Sequence, residues 1–241
     1  MEGLILKFVV DTHTHTITSG HAYSTVQEMA VEAQKNGIKM FAVTDHGPAM
    51  KGAPYLYHFG NLGVIPKVLH GVRILKGAEA NIINYSGGLD IPDEYLKGLD
   101  FVIAGLHDIC IEPSSKEKNT NALINALENP YVDTVAHPGN PRYPVDIEKV
   151  VRAAYKNNKF IELNNSSFII RHGCEENCRN FALECKKQGV RVVCGSDAHI
   201  SFDVGRFDRV YKLLEGLDMP RELIMNISVD DFNKYLEQKN K

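Results

Sequence analysis

The sequence predicts an α/β fold in which seven parallel strands close into a barrel surrounded by helices. Seven short apolar runs alternate with segments of helical periodicity along the 241 residues, which predicts strand–helix repeats and a parallel sheet. Ionisable residues follow nearly every run, and a closed barrel would gather them at one end, whereas an open sheet would spread them along a line. No Gly-rich phosphate-binding turn follows the first run, so a dinucleotide-binding sheet has no support.

The predicted strands are rich in Val, Ile and Phe, as is typical of parallel strands covered on both faces. They span residues 4–10, 40–44, 72–76, 101–104, 133–136, 160–163 and 190–194. Capping signals and periodicity predict helices over 24–36, 119–128, 146–157, 175–188, 203–215 and 228–237, with a weaker segment at 59–69. The first helix is expected to begin at Ser24, with Gln27 three residues later. The run 116–118 is expected to be an exposed loop.

Composition predicts one domain over residues 1–241. Apolar residues make up 44% and charged residues 24%, and a net charge of −3 argues against a stable nucleic-acid partner. The apolar runs are too short to span a bilayer, and residues 1–3 lack the positive region of a signal peptide, so a cytoplasmic protein without membrane association is expected. The five cysteines form an odd, scattered set that suits reduced thiols.

Histidines and carboxylates come after six of the seven predicted strands. The C-terminal ends of parallel barrel strands lie on one face, so these side chains are expected to converge at one mouth of the barrel. Only the sixth strand ends without an ionisable group, on Asn164 and Asn165. The candidate metal ligands are His13, His15, His21, His46, Glu79, His107, His137, Asp197 and His199.

This donor set predicts a site for more than one metal ion. Nine nitrogen and oxygen ligands exceed the three or so that one tetrahedral ion with an open position takes from a protein. They suit two or three ions, with a carboxylate able to bridge a pair, and a set dominated by histidine suits zinc, iron, manganese or nickel. Such ions lower the pKa of a bound water and hold phosphoryl oxygens during displacement. No serine nucleophile elbow or P-loop offers another nucleophile.

The residues around these ligands resemble the motifs of the polymerase and histidinol phosphatase (PHP) family, most closely its small stand-alone YcdX-type phosphatases. The matching segments occur in the family's order and cover nearly the whole chain. They are DTHTH (11–15), TDHG (44–47), GAE (77–79), GLH (105–107), AHPG (136–139) and GSDAH (195–199), with ELNNSS (162–167) in addition.

The resemblance implies a distorted (β/α)7 TIM-like barrel and a trinuclear site with three divalent ions per chain. Zinc is the first choice, with manganese or iron as alternatives. His21, in a loop beyond His15, enters the ligand set mainly through this resemblance. The implied sets are His13, His15, Glu79 and Asp197 for one ion, Glu79, His107 and His137 for a second, and His21, His46 and His199 for a third.

We therefore predict a metal-dependent phosphatase in which a metal-bound hydroxide attacks a small phosphomonoester, with Glu79, Asp197 and His199 in catalytic roles. Two alternatives within enzymes are a phosphodiesterase or exonuclease acting on nucleic-acid ends and a histidinol phosphatase. The alternative from another class is a non-enzymatic protein that stores or senses zinc. The physiological substrate and the oligomeric state, including a homo-oligomer, stay open at this point.

Several polar residues near the ligand set have two interpretations. Asp45 and Asp108 flank ligand histidines and either orient an imidazole N–H or are ordinary strand-end residues. Arg171 and Arg142 could each contact a substrate phosphate, although a solvated arginine is the simpler interpretation of both. Three histidines follow no predicted strand and are expected in surface or structural roles: His58, His70 and His172.

Overall fold

The computed structural model describes residues 6–239. The strands are β1 (Val10–Thr14), β2 (Met40–Val43), β3 (Val68–Leu69), β4 (Val72–Asn81), β5 (Phe101–Gly105), β6 (Thr134–Val135), β7 (Phe160–Asn164) and β8 (Val192–Gly195). The helices are α1 (Val26–Lys35), α2 (Leu56–Asn61), α3 (Asp93–Leu96), α4 (Lys116–Glu128), α5 (Ile147–Lys156), α6 (Ser167–Ile170), α7 (Cys174–Gln188), α8 (Asp208–Gly216) and α9 (Val229–Lys239). Within residues 6–239, no helix is long and apolar enough to cross a membrane.

Seven of the strands form one parallel sheet in the order β1-β2-β4-β5-β6-β7-β8. The short strand β3 pairs antiparallel with the start of β4. The turn between them contains His70 and Gly71, both with positive φ, as a two-residue type I′ hairpin turn requires. Helices connect most of the successive parallel strands, so the chain follows the predicted strand–helix alternation.

The sheet closes where β8 meets β1. Backbone hydrogen bonds join the chain at one end of this seam, and a side chain lies between the strands further along it. Just past the C-terminal ends of the two strands, the backbone N–H of His15 donates to the carbonyl oxygen of Ala198 at 2.8 Å. Further down, the Asn226 side-chain amide lies between the strands and donates to the carbonyls of Val10 at 2.8 Å and Cys194 at 2.7 Å. The barrel is therefore nearly closed but distorted, and the predicted fold class is confirmed.

The strands bury apolar side chains on both faces of the sheet. Along β2, Phe41 and Val43 belong to the larger core that includes the surrounding helices, whereas Met40 and Ala42 belong to a second core inside the barrel. This alternation has the period of two that an extended strand imposes. The second core is completed by α9, whose buried residues are Phe232, Tyr235 and Leu236.

Two predicted strand boundaries are wrong in ways that matter for the site. Residues 4–5 of the first predicted strand lie outside the described residues. The predicted strand ends at residue 10, but β1 begins at Val10 and continues to Thr14, so His13 lies within the strand. The third predicted strand ends at Lys76, but β4 continues to Asn81 and contains Glu79. Both errors arose because inward-pointing polar residues still have extended backbone, while the prediction followed only apolar runs.

Four predictions about helices and their ends also need correction. The N-cap of α1 is Thr25 rather than Ser24, because Thr25 and Glu28 form a reciprocal capping box. The run 116–118 is the first turn of α4, capped by Ser115, and the loop prediction there is wrong. The segment 59–69 contains the end of α2, a 3₁₀ turn and β3, and residue 203 ends a 3₁₀ turn that precedes α8.

Candidate metal centre

The carboxylate of Glu79 lies at the centre of the predicted ligands, because β4 places it inward at the barrel mouth. Its Oε1 atom lies 3.0 Å from His137 Nε2 and 3.2 Å from His107 Nε2. Its Oε2 atom contacts three other imidazoles: His46 Nδ1 at 3.0 Å, His13 Nε2 at 3.2 Å and His15 Nε2 at 3.4 Å. The two oxygens of one carboxylate therefore face different groups of histidines.

Asp197, just beyond β8, contacts the same cluster from the other side of the seam. Its Oδ1 atom lies 3.3 Å from His15 Nε2 and 3.6 Å from both His13 Nε2 and His199 Nδ1. Its Oδ2 atom accepts a hydrogen bond from the Asn164 amide at 3.1 Å. The φ angle of Asp197 is 57°, a left-handed conformation that is uncommon for an aspartate and turns the chain sharply at this point.

His21, His46 and His199 form the outer part of the cluster. The ring centroid of His21 lies 5.1 Å from that of His46 and 4.9 Å from that of His199. The structure therefore brings all nine predicted residues together. Three subsets have ligand atoms within 4.8 Å of one another: His13, His15 and Asp197; His46, Glu79 and His107; and His15, His46 and His199. Only the first falls within one of the sets that the resemblance implies.

The residues present fit a bound metal. Within residues 6–239, His46 Nδ1 and His107 Nε2 are buried ring nitrogens without a well-aligned hydrogen bond, although Glu79 oxygens lie 3.0 Å and 3.2 Å away. Buried polar atoms in native proteins almost always have a partner, and a bound ion is one of the standard explanations for an exception. Imidazole and carboxylate together are also the donor types that zinc, iron and manganese accept.

Burial keeps part of the histidine set neutral. It lowers the pKa of His46 to about 3 and that of His137 and His199 to about 4. It also lowers the pKa of His21. These imidazoles are therefore unprotonated at neutral pH, and an unprotonated ring nitrogen is the form that binds a metal.

The inner pair of histidines behaves in the opposite way. Burial opposes a charge on His13, but the carboxylates of Glu162, Glu79 and Asp197 outweigh it and raise its pKa well above the ordinary value. For His15, hydrogen bonds to Asp197 and Glu79 similarly outweigh burial and raise the pKa to about 8. Despite burial, the surrounding histidines hold the pKa values of Glu79 and Asp197 well below normal. Ionised carboxylates thus draw positive charge into the cluster, which divalent cations would supply.

Glu162 is a site residue that the sequence prediction missed. It lies buried in the middle of β7, where its Oε1 atom is 2.6 Å from His13 Nδ1. Its Oε2 atom accepts the backbone N–H of His137 at 2.6 Å. One carboxylate therefore orients the ring of one candidate ligand and the backbone of another. The available signal was strand alternation, which places Glu162 on the same face as Asn164 at the strand end.

Two other candidate ligands, His107 and His15, are oriented by hydrogen bonds to the ring nitrogen that does not face Glu79. Asn81 Oδ1 pairs with His107 Nδ1 at 2.8 Å. Ser19 Oγ pairs with His15 Nδ1 at 3.1 Å and donates to Asp45 Oδ1 at 2.7 Å. Asp45 therefore contacts a candidate ligand histidine through a serine rather than directly, which favours the orienting role over that of an ordinary strand-end residue.

The three other histidines have separate surroundings. His58 Nε2 lies 3.3 Å from Asp45 Oδ2, so this side chain adds to the support behind the cluster. His70 occupies the turn between β3 and β4, and His172 is exposed.

A cavity of about 520 Å³ opens above the cluster, and Arg171 lines it. The Arg171 side chain is only 14% exposed; its Nη1 atom lies 3.6 Å from Asp197 Oδ2 and donates to Ser167 Oγ at 3.1 Å. Arg142, by contrast, is 63% exposed and pairs with Asp108 at 2.7 Å. Of the two arginines, Arg171 is the one placed to contact an anion in this cavity, and Asp108 orients an arginine rather than an imidazole.

Comparison with known proteins gives a family match and close relatives. Residues 11–166 match the PHP domain, so Asp197 and His199 lie beyond the matched segment. A protein of Acetivibrio thermocellus is 75% identical over 234 residues, which cover 97% of each chain. One of Caldanaerobacter subterraneus is 57% identical and covers 98% of this chain and 94% of its own. One of Clostridium acetobutylicum is 48% identical and covers 98% of this chain and 97% of its own. All three are named probable phosphatases.

Solved structures show the same fold at low sequence identity. The histidinol phosphate phosphatase of Lactococcus lactis, complexed with zinc, L-histidinol and phosphate, superposes with a TM-score of 0.57 at 15% identity, covering 89% of this chain and 93% of that one. A probable 2-pyrone-4,6-dicarboxylic acid hydrolase from Acinetobacter baumannii superposes with a TM-score of 0.56 at 14% identity, covering 95% of this chain and 99% of that one. These two likenesses concern the fold alone. The family is established by the domain match and the sequence relatives: this chain belongs to the PHP domain family.

Proposed function

We propose that this protein is a metal-dependent phosphatase that hydrolyses a small phosphomonoester at the barrel mouth. The observation that carries the proposal is a cavity in which Arg171 lies beside imidazoles gathered around the shared carboxylate of Glu79. A metal cluster alone suits many activities. A metal cluster next to a sparsely exposed arginine suits a doubly charged phosphoryl group, because both can bind its oxygens.

The proposed ligand sets are those of the family pattern. One ion would be held by His13, His15, Glu79 and Asp197, a second by Glu79, His107 and His137, and a third by His21, His46 and His199. The separate contacts of Glu79 Oε1 with His107 and His137, and of Oε2 with His13 and His15, support a bridging carboxylate. We propose zinc first, with manganese or iron as alternatives; bound divalent ions would neutralise phosphoryl oxygens and lower the pKa of water.

The residues of this chain have distinct tasks in the proposed reaction. Ser167 and Asp197 hold the Arg171 guanidinium at the cavity, where its forked N–H groups can bind two phosphoryl oxygens. Since the pKa of Asp197 lies well below normal, this residue serves as an ionised ligand and as an anchor for Arg171, not as a proton donor. We keep Glu79, Asp197 and His199 as the proposed catalytic residues.

The names of the close relatives support phosphatase activity, while the substrate is our inference. We propose a small phosphorylated substrate, no stable nucleic-acid partner, no membrane association and a cytoplasmic location. A phosphodiesterase or exonuclease, a histidinol phosphatase and a zinc-storage or zinc-sensing protein are the alternatives that experiment must separate.

The test compares substrates on protein reconstituted with zinc or manganese. We expect turnover of p-nitrophenyl phosphate and much slower turnover of bis-p-nitrophenyl phosphate, labelled single-stranded DNA and histidinol phosphate. Faster turnover of the diester or of DNA would establish the phosphodiesterase or exonuclease alternative. A strong preference for histidinol phosphate would establish a histidinol phosphatase. Full metal occupancy without turnover of any phosphoester would favour storage or sensing.

Two arginine variants provide a matched pair for this assay. Arg171→Gln should lower kcat/KM for p-nitrophenyl phosphate about 10- to 100-fold, the loss expected for a hydrogen bond to a charged group. Arg142→Gln removes a similar side chain whose partner is the exposed Asp108, and it should change kcat/KM by less than about twofold. Equal effects of the two substitutions would contradict the proposed role of Arg171.

A further inference from the structure

The entrance of the cavity above the metal ligands is lined by aliphatic side chains, and we propose that they select phosphomonoesters whose alcohol part is apolar. The inference rests on the proposed phosphatase function and specifies its substrate class. That class is an alkyl or aryl phosphate rather than a sugar phosphate or a nucleotide.

The apolar rim consists of Ile169, Ile170 and Met50, all of which line the cavity. The two isoleucines are the last residues of α6. They are 60% and 59% exposed, so the protein core covers only a minor part of their apolar surface. A single exposed aliphatic residue is ordinary. Adjacent ones at the mouth of a cavity are typical of surfaces that cover the apolar part of a ligand.

The polar groups of the same rim are already paired. Ser166 Oγ donates to the carbonyl oxygen of Ser196 at 2.9 Å, and Asp203 Oδ1 lies 2.9 Å from Arg206 Nη1. A hydroxyl-rich substrate would lose hydrogen bonds to water on entry and find few replacements there, which is unfavourable. An apolar alcohol part avoids this penalty and removes the isoleucines from water.

A neighbouring cavity offers the alternative that the experiment must exclude. It has a volume of about 320 Å³, shares His107, Ile170 and Arg171 with the first, and is lined by Arg142 and His172. A substrate with a second acidic group would extend in this direction. The Arg142 guanidinium is already neutralised by an ion pair, so the aliphatic rim is the better-supported contact for the alcohol part.

The experiment uses ethyl, butyl and hexyl phosphate, whose leaving alcohols have similar acidity, on the metal-reconstituted protein. We expect kcat/KM to rise with chain length, by up to about fourfold per methylene if each is fully buried. Glycerol phosphate and phosphoglycolate should be no better than ethyl phosphate. A flat or falling alkyl series, or a preference for glycerol phosphate or phosphoglycolate, would overturn the inference.

Calorimetric binding of ethylphosphonate and hexylphosphonate gives a readout that needs no turnover, and hexylphosphonate should bind more tightly. Ile169→Ser and Ile170→Ser should reduce the hexyl-to-ethyl ratio in both assays, and a ratio within each variant cancels any general loss of activity. Val68→Ser, at a residue of β3 that is 58% exposed, should leave the ratio unchanged. If neither p-nitrophenyl phosphate nor any alkyl phosphate is hydrolysed, the phosphatase proposal fails. If p-nitrophenyl phosphate is hydrolysed but the two phosphonates bind with equal affinity, the apolar rim alone is refuted.

Discussion

The two ends of the barrel use buried polar groups in opposite ways. At the C-terminal end, two buried imidazole nitrogens near Glu79 have no well-aligned hydrogen bond to any of residues 6–239. At the N-terminal end, Asp133 is fully paired: it accepts hydrogen bonds from the Tyr235 hydroxyl, from Lys239 Nζ and from the Val102 backbone N–H. A satisfied network stabilises one structure, whereas buried imidazole nitrogens without a well-aligned hydrogen bond suit a site that binds a cation.

The contrast extends to packing. The aromatic residues of α9 fill the N-terminal end, where the Phe232 ring lies 5.6 Å from that of Phe101. The C-terminal end instead opens into a cavity of about 520 Å³. In barrels of this type, one end stabilises the fold and the other carries the chemistry. If that division holds here, substitutions at the two ends should affect different measurements.

Phe232→Ala should give the largest effect and should act only on stability. Removing a fully buried phenyl ring should lower the free energy of unfolding by about 3–5 kcal/mol, as measured by urea denaturation. Metal content and turnover per folded chain should stay at the wild-type level. Loss of metal from a still-folded variant would show that the two ends are coupled.

Glu79→Gln should have the opposite pattern, with metal binding strongly weakened and the fold retained. The substitution preserves shape but removes the charge that five imidazoles contact, so metal affinity should fall more than about 100-fold, beyond the loss expected for an outer-shell residue. Competition with a chromophoric chelator measures this affinity, and circular dichroism checks the fold. An unchanged metal affinity would remove Glu79 from the proposed site.

Glu162→Gln should have a smaller effect at the same end. The glutamine side chain is uncharged and has one oxygen, so it cannot accept hydrogen bonds from both His13 and His137 as the carboxylate does. Metal affinity should therefore fall about 10- to 100-fold. Glu176→Gln is the matched control, because Glu176 is exposed on α7 and should bind metal like the wild type. Identical affinities for the two variants would make Glu162 a purely structural residue.

The smallest expected effect is a pH dependence of metal binding. In the metal-free protein the raised pKa of His15, about 8, means that a proton occupies this ring at neutral pH and must leave when metal binds. Metal affinity should therefore rise as the pH rises through 7 to 8, and His13, whose pKa is also raised, should add to this rise. His15 alone should contribute about fivefold between pH 7 and pH 8. Calorimetry in buffers of different ionisation enthalpy should detect the released protons; affinity that falls with rising pH would contradict this account.

The sequence predicts much of this arrangement because ligand identity and strand position are both local features. His107 and His137 stand directly after apolar runs, and the parallel topology alone places them at one end of a barrel. The orienting groups were harder to identify. Glu162 lies inside an apolar strand, and only the three-dimensional structure shows that its carboxylate reaches His13.

Arg171 illustrates a second limit. In the sequence it follows a strand and a short polar segment, which is equally typical of a solvated arginine. Its position depends on α6 and on long-range contacts with Asp197, which no local pattern encodes. The predicted end of the third strand at Lys76 was wrong for a related reason, because the polar part of β4 is buried only once the barrel closes around it.

The most direct test of the central claim is the metal content per chain, measured by plasma mass spectrometry on protein purified without added metal or an affinity tag. Turnover of p-nitrophenyl phosphate should be measured before and after chelation. We predict two or three ions per chain, loss of turnover on chelation and recovery when metal is returned. A protein that binds no metal even after reconstitution would contradict the assignment of the converging histidines as a metal centre.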